Sequence, residues 1–475
     1  MAAADRRPRR GTTRRDWLRY AAAVPLAGLA ACGDGGAKTA PVAGSAPATK
    51  PASVPGGPKP SVLIIGGGLC GLRLLGLLRS RGHEASLLEG WTRLGGRVYT
   101  VSHGSLRVEL GAERTTAFDA RVHALAAEAR AELVAYPPPN RPTPLRFGAL
   151  KTTLEDPSPE LLAGLSDAEK RLGPHLVHLS LIEGATSPAD DDSRNAARWL
   201  KDLGLGERGE ALVRAFTYHD IDALPAAAFA RFARRERDGL QSTTIAGGSV
   251  RLVDALHGKV ARYVERGFVA ASAEETTTGV KISSRDGLVR TADLAVFAVS
   301  AAALDRIRFV GGTPKSIAER LSGLAMGHEL KISGIVPAAA EAAAGFALAD
   351  RFPRATWPMP ERDPDRAFVF NTMAVREDLP AARAAASAGT GALARYMEEV
   401  LPELKAHQPR WFTHDWQSDP LIGGAYAFAK STAGLATGPV AAGRFRVAGA
   451  DFSTLPGWME GALESAEAVA EMLVG

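Results

Sequence analysis

The stretch from Val62 to Thr100 constrains this chain more than any other part of it. It opens on Val62-Leu63-Ile64-Ile65, an apolar run with the length and β-branched content of a strand buried on both faces. Gly66, Gly68 and Gly71 follow at G-x-G-x-x-G spacing, and Leu72 to Arg81 read as a helix that Gly82 ends. Such a turn lets the backbone approach a pyrophosphate, whose charge meets the free N–H groups and positive dipole end of the helix. A second apolar run, Ala85 to Leu88, leads into Glu89, placed to accept hydrogen bonds from a ribose diol. Glycine-rich strand-to-helix turns also arise for packing alone; strand, helix and carboxylate together point to a dinucleotide site.

Arg93, Gly95, Gly96 and Arg97 form R-x-G-G-R shortly after Glu89, where a nicotinamide-binding fold needs nothing of the kind. Two more glycines and an arginine give a second grip on a pyrophosphate, through backbone N–H groups and a guanidinium fork. A larger, permanently held cofactor is implied.

From these residues the chain resembles the flavin-containing amine oxidases, which include monoamine, polyamine and L-amino acid oxidases. The run GGGLCGL…LLEGWTRLGGRVYT is similar to their FAD-binding segment, with Leu75 where a small residue is usual and Gly76 beside it to relieve the crowding. The resemblance implies an α/β fold: a Rossmann-like FAD-binding domain of the GR2 type, intertwined with an α+β substrate-binding domain. The expected division assigns 61–118, 243–310 and 430–475 to the first, and 119–242 and 311–429 to the second.

Further segments carry the same resemblance. Glu109-Leu110-Gly111-Ala112-Glu113 is similar to a family segment close to the flavin, which makes Glu113 a candidate cofactor residue. Thr243 to Leu256 has a glycine pair opening an amphipathic helix, and Phe268 to Ser284 and Ala292 to Val299 alternate as strands, with Arg285-Asp286-Gly287 as a hairpin turn. Val269 is the expected adenine contact. The family's usual proline after the second of these strands is replaced by Ser300-Ala301, from which only a local loop difference is expected. Lys331 lies in an apolar strand pattern, Met326 to Gly334, similar to the segment whose lysine holds a water against the flavin N5. Gly449-Ala450-Asp451 resembles a conserved turn of the family with its acid displaced by one position. Pro456 to Ala466 is similar to the segment whose helix N-terminus approaches the flavin, with Trp458 and Met459 at its start. Tyr426 and Trp458 fall on the two positions of the aromatic pair beside the flavin in monoamine oxidases. The cysteine that bonds the flavin in those enzymes is here Ala425, so FAD is expected to be held non-covalently.

Between these segments, Ala120 to about Arg237 reads as mostly helical, and a single helix is expected from Leu379 to Leu401. Tyr218, His219, Asp220 and Asp222 are either pocket groups or residues of a solvated turn.

The N-terminus reads as a targeting segment. Thr13 to Arg19 resembles a twin-arginine export signal, Tyr20 to Ala31 is an apolar run too short to span a bilayer, and Leu29-Ala30-Ala31-Cys32 resembles a lipoprotein cleavage box. Cys32 would carry the lipid, and Gly33 to Pro60, rich in Ala, Pro, Gly and Ser, would tether the domain to the membrane of the cell envelope. The only other cysteine is Cys70, so no disulfide is expected. Formal net charge is +5, concentrated in the arginine-rich leader, and no basic patch interleaved with aromatics points to nucleic acid. No metal site is expected.

The function implied is oxidation of a carbon–nitrogen bond of a small amine, with dioxygen as acceptor and Lys331, Tyr426 and Trp458 at the chemistry. Arg114, directly after Glu113, occupies the position at which L-amino acid oxidases clamp the substrate carboxylate, so an amino acid substrate stays open. The alternative for Arg114 is a phosphate or surface ion pair. A flavin dehydrogenase or desaturase of the same superfamily, or a non-catalytic flavin-bearing lipoprotein, are the other readings.

Overall fold

The computed structural model describes residues 59–136, 142–238 and 242–474; the expected export signal, Cys32 and most of the tether lie outside them. Two compact units emerge, one built from residues up to Val134, Thr244–Ser333 and Phe412 onward, the other from Ala135–Thr243 and Gly334–Trp411. Residues 119–134, 311–333 and 412–429 thus group with the cofactor-binding segments. Part of the reason is hydrogen bonding to those segments: Arg121 N donates to Glu460, Arg320 Nη2 to Gly438 O, Ser300 Oγ to Ile422 O and Trp416 Nε1 to Leu110 O.

Along the first unit the chain forms β1 (Val62–Ile65), α1 (Leu69–Ser80), β2 (Ala85–Glu89), β3 (Thr100–His103), β4 (Leu106–Glu109) and α2 (Ala120–Glu128). After the other unit's segment come α3 (Val250–Val260), β5 (Val264–Arg266) and β6 (Leu294–Phe297). β7 (Leu324–Gly327), β8 (Glu329–Val336), β9 (Tyr426–Ala429), β10 (Val440–Ala442), β11 (Phe445–Val447) and α4 (Met459–Val474) complete it, β8 passing into the other unit at Gly334. One six-stranded sheet runs in the order β5-β2-β1-β6-β11-β10, with every neighbour parallel except the last pair. All four residues of β1 are buried. Val62 and Ile64 pack among the helices α1, α3 and α4, while Leu63 and Ile65 join Phe297, Phe309 and Phe445 on the opposite face. A continuous apolar run is what a strand covered on both sides requires.

Leu72, Leu74, Leu75 and Leu78 of α1 are fully buried, a contribution of roughly 2 kcal/mol each. The helix ends at Ser80, and Gly82, at φ +79°, turns the chain so that its N–H reaches Arg79 O and that of His83 reaches Leu78 O. Gly76 gives Leu75 no relief from crowding, contrary to expectation: a Cβ there would meet no atom within 4 Å, so this glycine faces open space. Phe268 to Ser284 is likewise not one strand. Ala270–Glu275 and Val280–Ser284 pair antiparallel across a turn closed by Thr276 and Gly279, and the expected turn after Ser284 leads into Val289–Ala292.

In the second unit, helices Ala196–Asp202, Glu207–Phe216 and Ala226–Asp238 match the helical expectation. The hairpin Pro144–Phe147 with Leu150–Thr153 does not; Gly148, at φ +57°, makes its tight turn. It belongs to a sheet with Ala347–Ala349, Ala355–Arg362 and Phe368–Val375. The helix expected over 379–401 is two, broken at Gly389, whose φ of +101° no helix accommodates. Asp222 pairs with Arg214, and His219 is buried against Phe232, its imidazole pushed down to about 4 by desolvation. Among the described residues no helix is long and apolar enough to cross a membrane.

Candidate active site

The carboxyl ends of β1, β2, β6 and β11 converge on the glycine turn. Gly66 donates to Leu88 O and Ala298 to Ile65 O, which locks the turn to both neighbouring strands. A Cβ on Gly66 would lie 2.5 Å from Ala298 O and one on Gly71 1.9 Å from Gly66 O, so neither position admits a side chain. Gly68 differs. The nearest atom to a Cβ there would be Gly95 O at 3.8 Å, which leaves open space beside the backbone.

The R-x-G-G-R loop lies against this turn. Gly95 donates to Gly67 O at 2.9 Å, Gly68 and Gly95 form a parallel bridge, and Gly96 takes φ +58°. No side chain caps α1 and no acid lies in its first turn, so its leading N–H groups remain available to an anion. Cys70, on that first turn, is buried and its thiol is pushed up to about 12 by desolvation, a packed group rather than a reactive one.

Glu89 is buried at the end of β2, and its oxygens accept from Gly67 N at 2.5 Å and Trp91 N at 2.7 Å. Desolvation raises its carboxyl above the ordinary range. Arg93 donates through Nη1 to Gly96 O at 2.8 Å, while its buried Nη2 has no hydrogen-bond partner. Arg97 donates through Nη1 to Asp451 Oδ1 at 2.6 Å and to Ala425 O at 3.2 Å. Asp451 is buried, and Gly449, at φ +126°, donates to Ser465 Oγ on α4. In the segment that stands where the family usually has a proline, Ala301 N donates to Asp451 Oδ2 at 2.9 Å, and Ser300 caps the short helix Ala301–Asp305.

Lys331 is buried on β8, as its apolar neighbours suggest, and its Nζ lies 3.2 Å from the equally buried Glu113. Glu113 is therefore an ion-pair partner of the lysine. Glu329, two residues earlier on the same strand face, also lies in the lysine's field, and burial raises its carboxyl. Glu109 completes the group. It is fully buried, accepts from Ser249 N at 2.6 Å and Thr100 Oγ1 at 2.9 Å, and is pushed up to about 8 by desolvation against those hydrogen bonds. Sequence reasoning missed Glu109 and Glu329 as members of this cluster; an acid at i−2 from a lysine in an apolar strand was the available signal.

Tyr426 stands opposite Gly327 in the β7–β9 pairing, and a Cβ on Gly327 would fall 2.6 Å from its ring. Gly457, immediately before Trp458, packs against the Tyr426 Cβ. Trp416 Nε1 donates to Leu110 O, tying the segment before Tyr426 to the Glu109–Glu113 stretch. Met459 points into the helix core, so what it offers a ligand is its backbone. The carbonyl of Val269 accepts from Arg285 N at 2.9 Å, and its side chain lies beside Gly90. Arg114 is half-buried, in the field of Glu329.

These residues fit an FAD. The open strip at Gly68, the uncapped start of α1 and the unpartnered Arg93 Nη2 suit a pyrophosphate, and Glu89 at the end of β2 suits a ribose. Fold and site thus define a dinucleotide-binding flavoprotein. The model of the family "Flavin containing amine oxidoreductase" matches residues 71–474, and the chain belongs to that family. It is an FAD-dependent oxidoreductase acting on amines. Similar solved structures include a redesigned putrescine oxidase, 16% identical, with TM-score 0.70 and 88% of this chain and 99% of that one covered. Putrescine oxidase bound to putrescine is also similar, at 16% identity and TM-score 0.68, covering 87% and 99%. Cyclohexylamine oxidase from Brevibacterium oxydans IH-35A is 18% identical, with TM-score 0.68, covering 88% and 99%. At these identities the likeness is one of fold. No curated protein sequence matches the chain significantly.

Proposed function

We propose that the protein oxidises a small primary or secondary amine, with dioxygen as acceptor and FAD held without a covalent link. The chemistry FAD supplies when bound is acceptance of a hydride from the carbon bearing nitrogen and delivery of the electrons to dioxygen. Lys331 provides a buried cation on the cofactor unit, and Tyr426 and Trp458 flank and orient the neutral amine. The observation that carries this reading is the buried Lys331 with its carboxylate partner on the unit that also bears the glycine cradle. Putrescine oxidase and cyclohexylamine oxidase, by their names, act on amines without a carboxylate. A peroxide-release screen on FAD-loaded protein, with amines, diamines and L-amino acids under air, tests it. Peroxide with amines is expected. Peroxide only with amino acids, abolished in Arg114→Ala, would make Arg114 a carboxylate clamp instead.

Ala425 supports non-covalent FAD, and acid precipitation should then leave all the flavin in the supernatant. We further propose export by the twin-arginine route and lipid attachment at Cys32, supported by the order Arg14-Arg15, apolar run, Leu29-Ala30-Ala31-Cys32. Full-length protein in the membrane fraction, released to the soluble fraction by Cys32→Ala, is the expected result; no change in partition would reject the anchor.

A further inference from the structure

The resemblance assigns Lys331 a place beside the flavin but says nothing of what holds the lysine. The structure supplies three carboxyl groups around it, one of which also has an arginine in its field. Glu113, from the turn after β4, lies 3.2 Å from Nζ, with side-chain exposures of 5% for the lysine and 7% for the glutamate. Glu109, at the end of β4, and Glu329, on the lysine's own strand, both lie within its field, and Arg114 lies in that of Glu329. Glu109 and Glu113 also repel one another. Glu109 is committed to Ser249 N and Thr100 Oγ1, whereas Glu113 is in ion-pair contact with the ammonium.

An isolated ammonium this deep in the protein sheds its proton to escape the cost of desolvation. A carboxylate in contact restores the charged form and fixes the direction in which the flexible four-carbon stem points. We infer that Glu113 is the positioning residue of Lys331: it keeps the ammonium charged and directed at the flavin, and is not itself a ligand of the cofactor. The inference rests on the reading of Lys331 as the cation that serves the flavin.

Sulfite tests it, because it adds to a bound flavin as an anion, bleaches the visible absorbance, and is bound more tightly where a cation stands near. Its Kd would be measured by absorbance titration of the FAD-loaded enzyme at several pH values, for wild type, Glu113→Gln, Glu113→Asp, Lys331→Met and the double variant Glu113→Gln/Lys331→Met. The ratio of variant to wild-type Kd cancels the ionisation of sulfite itself. For Glu113→Gln this ratio should climb with pH between about 7 and 9.5, by up to about tenfold per pH unit, as the lysine that has lost its contacting carboxylate gives up its charge. Glu113→Asp should keep the ratio nearer to one, and in the Lys331→Met background the added Glu113→Gln should change nothing.

A pH-independent ratio for Glu113→Gln, with Lys331→Met differing from wild type, overturns the inference alone. A Lys331→Met profile identical to wild type overturns the placement of the lysine. Wild type that binds sulfite but releases no peroxide with any amine overturns the oxidase reading. If Glu113→Gln fails to hold FAD while the double variant holds it, the damage comes from the ammonium deprived of its contacting carboxylate, which supports the inference. If both fail, Glu113 is needed for the cofactor on its own account and the inference falls.

Discussion

Asp451 accepts the backbone N–H of Ala301 at 2.9 Å while its other oxygen takes Arg97 Nη1 at 2.6 Å. The bond joins two departures from the family pattern, the lost proline and the displaced acid. A proline at 301 would have no N–H to give. Its backbone would otherwise be tolerated, since Ala301 is the first residue of its helix and Ser300, at ψ 157°, is extended as a residue before proline must be. Ala301→Pro therefore removes one hydrogen bond to a buried carboxylate and sets the ring Cδ where the N–H now points, so the carboxylate must also shift. A loss of about 1–3 kcal/mol is expected, read as a lowered Tm of the loaded protein and weaker FAD retention. Unchanged Tm and FAD affinity would mean that Arg97 alone holds Asp451.

The two glycines of α1 separate function from propensity. Gly71→Ala would set a Cβ 1.9 Å from Gly66 O, between backbone groups that cannot yield, and should give protein that retains no FAD. Gly76→Ala meets open space in a helix interior and should stabilise by about 0.5–1 kcal/mol with FAD affinity unchanged. Flavin content after gel filtration, together with thermal unfolding, distinguishes the two. Equal behaviour of the variants would contradict the geometry of the turn.

The parts of this site legible in the sequence are those in which neighbours along the chain do the work. Val62–Ile65, the glycines, Glu89 and Arg93–Arg97 lie within one βαβ passage, so spacing alone carries their geometry. Lys331 was legible as an inward lysine because leucine and isoleucine flank it. Its carboxylate environment was not. Glu109 is tied to Ser249 across 140 residues and Glu113 to Lys331 from another strand's end, and no local pattern encodes a pairing at that separation. The role of Ala301 was hidden for the same reason, since the group it serves comes 150 residues later. Helix breaks were missed where one glycine decided the matter, as at Gly389, because an alanine-rich run reads as continuous helix until its φ is seen.

Gly327 sets the Tyr426 ring. The two residues face each other across β7 and β9, and any side chain at 327 would enter the space of the ring at 2.6 to 3.0 Å. Gly327→Ala must displace the aromatic group, since Gly457 already packs against its Cβ from another side. A shift near 1 Å in a group that orients substrate costs about 10²-fold. The expected result is kcat/KM for the preferred amine lowered about 10- to 100-fold, with FAD content and Tm close to wild type. Full activity in this variant would remove Tyr426 from the substrate's surroundings.

Glu109 gives the folded protein a pH dependence of unusual sign. Its carboxyl is raised to about 8, chiefly by desolvation, whereas in the unfolded chain it titrates in the ordinary carboxylate range. Between those values the folded state holds a proton that the unfolded state has released, so this group's contribution to stability falls as pH rises and levels off above about 8. The shift sets an upper bound of roughly 5 kcal/mol, reduced by whatever relaxation the cluster with Glu113 and Lys331 allows. Glu109→Gln keeps a carbonyl for Ser249 N and an amide for Thr100 Oγ1 but has no proton to lose. Its Tm should therefore decline less than that of wild type between about pH 6 and pH 9, with the two proteins closest at the acid end. Parallel Tm profiles across that range would show that Glu109 is ionised in the folded protein and that Lys331 lies opposite two charged carboxylates of the same segment.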